Sequence, residues 1–177
     1  MNTPFPTLLK KLIARRDLTE NEAFDAVTAV LAGELTEGQT GAFLAALAAK
    51  GETVDEISAG ARAMRAAATR VQSLVPNTLD TVGTGGDGGM TFNISTTVAF
   101  VAAGAGATVA KHGNRASSGV SGSADCLEQL GLNLSADPEI MEQALNELGI
   151  TFLFAPAFHK AMRFAGPVRK QLGVRTL

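Results

Sequence analysis

The chain has 177 residues, a formal charge of −2 at neutral pH and a hydrophobic share of 46%. These values are typical of a globular chain with room for one domain of ordinary size and a small second one. A mildly acidic chain has no overall attraction to nucleic acid or to an anionic membrane, and no apolar run approaches the roughly 20 residues of a membrane-spanning helix. We therefore expect no nucleic acid and no membrane among its partners, and any anion site has to be local.

The compartment is indicated by the cysteine count and by the first residues. Cys126 is the only cysteine, so the chain forms no intrachain disulfide. Residues 1–6 lack the basic and apolar regions of a secretory signal peptide. Both observations predict a cytoplasmic protein.

Residues 1–70 are predicted to form a helical domain of four helices, three of which begin at a capping box. In each box a threonine and a glutamate or glutamine three positions later satisfy each other's backbone N–H groups. The pairs are Thr19 with Glu22, Thr36 with Gln39, and Thr53 with Glu56. Gly33 and Gly51 are expected to end the first two of these helices, and the third is expected to run to about Arg70.

Each predicted helix carries an apolar face, and together the faces predict the core of a helical bundle. In chain order they are Leu8, Leu9, Leu12 and Ile13; Phe24, Val27 and Leu31; Phe43, Leu44 and Leu47; and Val54, Ile57, Ala61 and Met64. The third helix has no charge from Thr40 to Ala49. This favours cover on more than one side, either within the bundle or by a second subunit, and we favour the subunit contact.

Residues 71–77 are the predicted linker, because Pro76 ends the helical pattern and strands then alternate with helices. Strands are predicted over residues 79–82, 107–110, 132–134 and 150–154, and helices over residues 96–103, 124–130 and 138–149. Alternation of this kind implies a mainly parallel sheet covered by helices. The predicted fold class is therefore α/β with an N-terminal helical domain.

Two glycine-rich loops, residues 83–89 and 111–119, each follow a short apolar run near the middle of the chain. Glycine lets the backbone approach a ligand closely and lets successive N–H groups converge on an anion. Asp87, Lys111 and Arg115 are the only charged residues between positions 83 and 122. The loops therefore predict a floor that binds phosphate.

Three common motifs fit these loops poorly. Gly83, Gly85 and Gly88 have the spacing of a dinucleotide-binding loop, but the following strand ends in Ala110-Lys111, where an acidic residue would hold the ribose. A Walker loop requires lysine and then serine or threonine after its last glycine, which residues 89–90 do not supply. Residues 119–122 fall one position short of a nucleophile elbow. These departures disfavour a nicotinamide cofactor, a P-loop site and a serine hydrolase.

The loops instead combine glycine with hydroxyl, amide and single-charge groups. These groups are Asp87, Asn93, Ser95, Thr96, Lys111, Asn114, Ser117, Ser118 and Ser123. Such a set suits a ligand with several phosphates and sugar hydroxyls, with Lys111 as the cation for phosphate. Residues 93–96 also begin a predicted helix, whose N–H groups and dipole favour anions.

Three motifs, in this order after a helical segment, resemble those of the anthranilate phosphoribosyltransferase family. They are Gly83-Thr-Gly-Gly-Asp87, Asn93-Ile-Ser-Thr96 and Lys111-His-Gly-Asn-Arg-Ala-Ser-Ser-Gly119. The pyrimidine nucleoside phosphorylases are similar in architecture and share a Lys-x-x-x-Arg loop, but their glycine loop differs. A phosphorylase-like enzyme and a non-catalytic phosphoribosyl- or nucleotide-binding protein are the alternatives.

The resemblance implies transfer of the phosphoribosyl group from phosphoribosyl pyrophosphate to anthranilate, with Mg²⁺ as cofactor and with no residue acting as nucleophile or as acid and base. It implies a homodimer built on the helical domain. Residues 78–177 would form the first part of a phosphoribosyl-binding α/β domain, with residues 156–177 packing back on the helical domain. The family runs on beyond this length and holds magnesium with later acidic residues, so we expect the chain alone to be a poor catalyst.

The resemblance also implies the site residues. Ser95 would contact the metal, and Gly83, Asn114 and Arg169 would lie beside anthranilate. The contacts to phosphoribosyl pyrophosphate would be Gly83, Gly86, Asp87, Thr91, Asn93, Ile94, Ser95, Thr96, Lys111, His112, Gly113, Asn114, Arg115, Ala116, Ser117, Ser118, Gly119 and Ser123. The chain departs from the usual family pattern at Lys160 and Phe164, where proline and histidine are common.

Overall fold

The structure, a computed structural model, describes residues 1–83, 92–116 and 121–173. The chain divides into two compact units. The helical unit comprises Met1–Ala68 together with the segment that begins at His159, and the α/β unit comprises Thr69–Phe158. None of the helices in the described ranges is long and apolar enough to cross a membrane.

Helices dominate the described residues, and two strands lie among the helices of the α/β unit. In chain order the elements are α1 (Phe5–Ile13), α2 (Glu20–Ala32), α3 (Glu37–Lys50), α4 (Val54–Ala67), α5 (Ile94–Gly104), β1 (Val109–Gly113), α6 (Ser123–Gln129), α7 (Pro138–Leu148), β2 (Ile150–Phe154), α8 (Ala155–Phe158), a 3-10 helix (Lys160–Arg163) and α9 (Gly166–Leu172). The predicted helices over residues 96–103, 124–130 and 138–149 and the predicted strand over residues 150–154 are confirmed, with ends that differ by up to two residues.

All three predicted capping boxes are present at the starts of α2, α3 and α4. At α2, for example, the Glu22 backbone N–H donates to Thr19 Oγ1 at 3.3 Å and the Thr19 N–H donates to Glu22 Oε2 at 2.8 Å. Gly33 and Gly51 end α2 and α3 with φ of 72° and 87°, a region that glycine enters without strain. Helix α4 ends at Ala67, slightly before the predicted Arg70.

The predicted apolar face of α4 is wrong except for Met64, which packs against the core of the helical unit. Val54 and Ile57 are 78% and 50% exposed, and the helix instead buries Glu56 together with the small residues 59, 60 and 63. Small side chains let α4 pack closely against α2, and Glu56 tolerates burial because Lys50 pairs with its carboxylate. Hydrophobicity alone therefore assigned the wrong face of α4 to the core.

Helix α3 buries one face of the bundle core and leaves another open in the single chain. Thr40, Phe43, Leu44 and Leu47 are buried, and Phe43 packs against Phe5 with ring centroids 6.1 Å apart. The alanines at positions 42, 45 and 49 are exposed. The uncharged stretch of α3 is thus covered on one side within this chain, and its contact with a second subunit stays a prediction.

The sheet of the α/β unit is parallel, as predicted. Strand β1 pairs with β2 from Val109 opposite Ile150 to Gly113 opposite Phe154, and Leu79 forms a single parallel bridge to Val109. The predicted strand over residues 79–82 is therefore reduced to that bridge. The predicted strand over residues 107–110 begins two residues later, where β2 supplies its partner.

The predicted strand over residues 132–134 is wrong, because this segment forms no sheet pairing in the described part of the chain. Leu134 is buried in a small core with Ala124, Leu127 and Phe152, and Leu132 packs against that core. The segment therefore fills the space beside α6 and β2 with side chains, which a short apolar run does as readily as it forms a strand.

Candidate functional site

Three segments of the α/β unit meet near the carboxyl end of β1. Thr81 Oγ1 donates a hydrogen bond to the Ser95 carbonyl at 2.9 Å, and Lys111 Nζ donates to Ser95 Oγ at 3.2 Å. The His112 backbone N–H donates to Asp80 Oδ1 at 3.1 Å. We call residues 80–83, 93–96 and 111–116 the β1 floor. Its position fits the general rule that ligands of open α/β sheets bind beyond the carboxyl ends of the strands.

Lys111 places a positive charge inside the β1 floor. The residue is only 2% exposed, and its ammonium donates at 3.2 Å both to Ser95 Oγ and to the His112 carbonyl. Burial lowers the pKa of Lys111, and the negative charge of Asp80 works in the opposite direction. A buried ammonium whose hydrogen-bond acceptors in the described residues are neutral oxygens favours an anionic ligand, because the anion restores part of the lost solvation.

The start of α5 contributes polar groups to the same place. Asn93 is the cap residue, and its side-chain amide does not cap the helix but donates to Ser121 Oγ at 3.4 Å. Thr96 is 4% exposed, and its hydroxyl has no hydrogen-bond partner among the residues that the structure describes. Because α5 also directs its dipole at the β1 floor from this end, the arrangement suits a negatively charged group.

The start of α6 requires glycine at Gly122, the residue that precedes this helix. A Cβ at this position would lie 2.4 Å from the Ala116 backbone nitrogen, which is far inside contact distance. Asp125 Oδ2 accepts hydrogen bonds from the backbone N–H groups of Ala116 at 2.9 Å and of Gly122 at 2.8 Å, and these bonds lower the pKa of Asp125. The carboxylate thus holds both Ala116 and Gly122 at the start of α6.

Arg115 is held by acidic residues of α6. Its guanidinium forms a two-point contact with Glu128 at 2.7 and 2.9 Å and contacts Asp125 at 3.1 Å, and these pairs raise the pKa of Arg115. The same group lies 5.8 Å from the ring centre of Phe154. Arg115 therefore fastens the loop to α6, whereas Lys111 supplies the buried charge of the β1 floor.

The structure places the predicted site residues in three groups. Those in the β1 floor or at the start of α6 are Gly83, Asn93, Ile94, Ser95, Thr96, Lys111, His112, Gly113, Asn114, Arg115, Ala116 and Ser123. Those that lie outside the described residues are Gly86, Asp87, Thr91, Ser117, Ser118 and Gly119. The last group is Arg169 alone, which lies on α9 of the helical unit.

Sequence reasoning missed Asp80 and Asp125. Asp80 was assigned to a strand without a role. Its carboxylate accepts hydrogen bonds from the backbone N–H groups of Val82 at 2.9 Å and of His112 at 3.1 Å. The available signal was a carboxylate at the end of an apolar run, just before a glycine-rich loop. Asp125 had a weaker signal, an acid in the first turn of a helix that follows glycine.

The described residues do not by themselves form a magnesium site. They contain no group of three or more His, Cys, Asp or Glu side chains able to hold a metal ion. Ser95 Oγ, the predicted ligand, already accepts a hydrogen bond from the Lys111 ammonium at 3.2 Å. One hydroxyl next to a positive charge is a poor site for a cation that prefers several oxygen ligands.

Two family models match the chain, and the boundary between them agrees with the first boundary between the two units, whereas the segment that begins at His159 lies within the a/b match and belongs to the helical unit. The helical bundle domain of a glycosyl transferase family matches residues 6–68, and the a/b domain of the same family matches residues 75–177. The chain belongs to this glycosyl transferase family. Its fold class, an N-terminal helical domain followed by an α/β domain, is confirmed by these matches.

Two relatives within the glycosyl transferase family carry the same name. The anthranilate phosphoribosyltransferase of Desulfosudis oleivorans is 56% identical over 173 residues, which are 98% of this chain and 51% of the relative. That of Chloroflexus aurantiacus is 58% identical over 166 residues, which are 94% of this chain and 49% of the relative. The chain spans about half the length of the curated relatives it matches.

Two solved structures that are similar to this chain carry the name anthranilate phosphoribosyltransferase as well. The anthranilate phosphoribosyltransferase of Thermus thermophilus is 50% identical with a TM-score of 0.88, and the match covers 95% of this chain and 51% of that one. The enzyme of Saccharomyces cerevisiae, solved in complex with PRPP and Mg, is 30% identical with a TM-score of 0.87, and the match covers 97% of this chain and 52% of that one.

Proposed function

We propose that this chain supplies the helical domain and the phosphoribosyl pyrophosphate floor of an anthranilate phosphoribosyltransferase. The reaction transfers the phosphoribosyl group to the anthranilate nitrogen, giving N-(5-phosphoribosyl)anthranilate and pyrophosphate. The observation that carries the proposal is the contact of the buried Lys111 with Ser95, which joins a cation to the start of α5 at the carboxyl end of β1. Anthranilate as acceptor is supported by the names of the relatives.

The chemistry that the β1 floor offers is binding and charge stabilisation. Negative charge grows on pyrophosphate as its bond to the anomeric carbon breaks, and a cation held in a buried place interacts with it more strongly than one in water. Lys111 occupies such a place. The aniline nitrogen of anthranilate is neutral and nucleophilic near pH 7, so the transfer needs orientation more than a strong base. His112 contributes through its backbone, which fixes Asp80.

Magnesium is the proposed cofactor, and the yeast enzyme solved in complex with PRPP and Mg supports this choice. The described residues contain no group of three His, Cys, Asp or Glu side chains that could hold the ion, and Ser95 Oγ lies beside an ammonium group, so the ion would enter with the phosphates of the substrate. We also propose that the chain dimerises through its helical unit, because Ile13, Val54 and Ile57 are 68%, 78% and 50% exposed. The cytoplasm, predicted from the lone Cys126, stays the proposed compartment.

A phosphorylase-like enzyme is the second candidate function, and its substrate would be a nucleoside with inorganic phosphate. The β1 floor suits one phosphate as well as several, because Lys111 is its one buried cation in the described ranges. The names of relatives that are 50–58% identical support the transferase. The two candidates differ in whether pyrophosphate on the ribose improves binding over inorganic phosphate alone.

Calorimetric titration with phosphoribosyl pyrophosphate tests the proposal. Lys111→Met should weaken binding about tenfold or more, because a charge-assisted hydrogen bond is lost, while methionine fills the buried space. Lys170→Met, at an exposed position of α9, is the matched control and should leave affinity unchanged. Equal affinity of the wild type and Lys111→Met would contradict the proposal that the β1 floor binds phosphoribosyl pyrophosphate through Lys111. Tighter binding of inorganic phosphate than of phosphoribosyl pyrophosphate would favour the phosphorylase.

A second assay addresses turnover. Anthranilate fluorescence should fall when phosphoribosyl pyrophosphate and magnesium are added to an active transferase. We expect slow loss with this chain alone and fast loss when the chain is joined to the second half of a family relative, since the described residues lack a magnesium site. Comparable rates in the two samples would contradict this expectation.

A further inference from the structure

The start of α6 binds the backbone of the β1 floor. The Ala124 N–H donates to the Asn114 carbonyl at 3.2 Å, and the Ala116 N–H donates to Asp125 Oδ2 at 2.9 Å. The same carboxylate oxygen accepts the N–H of Gly122 at 2.8 Å. These bonds fix the main chain shortly after β1 and directly before α6.

Arg115 lies between the two bound floor residues, and both carboxylates of α6 hold its side chain. The guanidinium contacts Glu128 at 2.7 and 2.9 Å and Asp125 at 3.1 Å. A two-point contact between a guanidinium and a carboxylate fixes orientation as well as distance. Residues 114–116 are therefore held at three successive positions by one short helix and not by each other.

The charges of the two carboxylates by themselves oppose anion binding. Asp125 and Glu128 bring two negative charges to the single positive charge of Arg115, with side chains that are 31% and 46% exposed. An excess of negative charge beside a floor that binds phosphate repels the ligand. Any help that these carboxylates give to binding therefore comes through the geometry that they impose on residues 114–116.

We infer that Asp125 and Glu128 are positioning residues for phosphoribosyl pyrophosphate, and that their hold on residues 114–116 outweighs their repulsion of the anion. The inference rests on the proposed function. Neither residue belongs to the set of contacts that the resemblance implies. A backbone that is already held in its binding arrangement raises affinity, because less ordering remains to be done when the ligand arrives.

Calorimetric titration with phosphoribosyl pyrophosphate separates geometry from charge at Asp125. Asp125→Ala removes the acceptor of both N–H groups and should weaken binding about tenfold. Asp125→Asn removes the charge but keeps an acceptor oxygen, so it should retain most of the wild-type affinity. Glu139→Gln, which removes one negative charge at an exposed position of α7, is the matched control and should not weaken binding. Tighter binding by Asp125→Ala than by wild type would overturn the inference, because charge would then outweigh geometry.

Glu128 is tested through its pair with Arg115. Glu128→Gln and Arg115→Gln should each weaken binding about threefold, and the double variant should bind about as weakly as either one, because both changes break the same contact. Tighter binding by Glu128→Gln would overturn the inference, since Glu128 would then be withholding Arg115 from the ligand. Losses that add in the double variant would do the same.

Circular dichroism establishes that each variant is folded at the temperature of the titration. If Asp125 and Glu128 served the fold alone, the variants would unfold at lower temperature while the folded protein kept its affinity, and that result would overturn the inference but leave the proposed function intact. A folded wild type that does not bind phosphoribosyl pyrophosphate would overturn the proposed function and the inference together.

Discussion

The ammonium of Lys50 lies 2.8 Å from the carboxylate of Glu56, and the two side chains are 3% and 0% exposed. Asp17 accepts a second hydrogen bond from Lys50 at 2.8 Å, while the backbone N–H groups of Leu18 and Thr53 donate to Glu56. Burial opposes both charges, but these hydrogen bonds outweigh it, raising the pKa of Lys50 and lowering the pKa of Glu56. The pair joins the end of α3 to α4 and to the segment before α2.

Removing one partner should destabilise the helical unit strongly. Lys50→Met leaves the Glu56 carboxylate buried without its cation, which we expect to lower the free energy of unfolding by about 3–5 kcal/mol. Glu20→Gln breaks the pair of Glu20 with Arg62, whose side chains are 49% and 53% exposed, and should cost at most about 1 kcal/mol. Urea unfolding followed by circular dichroism measures both. Similar losses in the two variants would show that burial adds nothing to the Lys50 pair.

The same pair predicts the pH dependence of stability. The pKa of Glu56 is lowered, so its contribution is present above the unfolded value of about 4.3 and is lost as the pH falls through the folded pKa. The pKa of Lys50 is raised, so its contribution is present below about 10.4 and is lost as the pH rises through the folded pKa. The difference in unfolding free energy between wild type and Lys50→Met should therefore be largest near neutral pH. A difference that does not change with pH would contradict this assignment.

Replacing Gly122 should disturb the backbone of residues 114–116 in the β1 floor. In Gly122→Ala the new Cβ would lie 2.4–2.7 Å from backbone atoms of Asn114, Arg115 and Ala116, which cannot move as a flexible side chain does. We expect a loss of about 1–3 kcal/mol in stability and weaker binding of phosphoribosyl pyrophosphate. Gly104→Ala, where nothing lies within 4 Å of the new Cβ, is the control and should be neutral. Thermal unfolding and calorimetry measure the two effects, and a neutral Gly122→Ala would contradict the packing described.

Lys111→Met should stabilise the chain while it weakens binding. Burial lowers the pKa of Lys111, so the ammonium is a cost to the folded state at neutral pH that an apolar side chain of similar length removes. We expect a higher midpoint of thermal unfolding for Lys111→Met than for wild type. The free energy of unfolding of the wild type should therefore increase as the pH rises from the lowered folded pKa of Lys111 to about 10.4. A lower midpoint for the variant would mean that the ammonium supports the fold.

Arg169 is the residue proposed for the anthranilate carboxylate, since a guanidinium binds a carboxylate at two points. In this chain joined to the second half of a family relative, Arg169→Ala should raise the KM for anthranilate about tenfold or more. The KM for phosphoribosyl pyrophosphate should stay nearly unchanged. Steady-state kinetics with each substrate varied in turn measures this. Equal losses for both substrates would point to a role in the helical unit instead.

The sequence alone determined the features that depend on near neighbours in the chain. Thr19 and Glu22 form a capping box because three residues of separation suffice, and Ile150–Phe154 forms a strand because a turn at Gly149 precedes a run of β-forming residues. The two glycine-rich motifs are likewise recognised from residues that are close together in the sequence. These signals located the fold class and the region of the candidate site.

The tertiary structure decided the features that depend on residues far apart. Lys111 contacts Ser95 across 16 positions, and the burial of Glu56 depends on a hydrogen bond from Leu18, 38 positions away. A pattern of apolar residues does not reveal such partners, so Glu56 was predicted only as part of a capping box, and Val54 and Ile57 were wrongly assigned to the core. Whether a charge is buried depends on the groups that surround it, and those groups are assembled only when the chain folds.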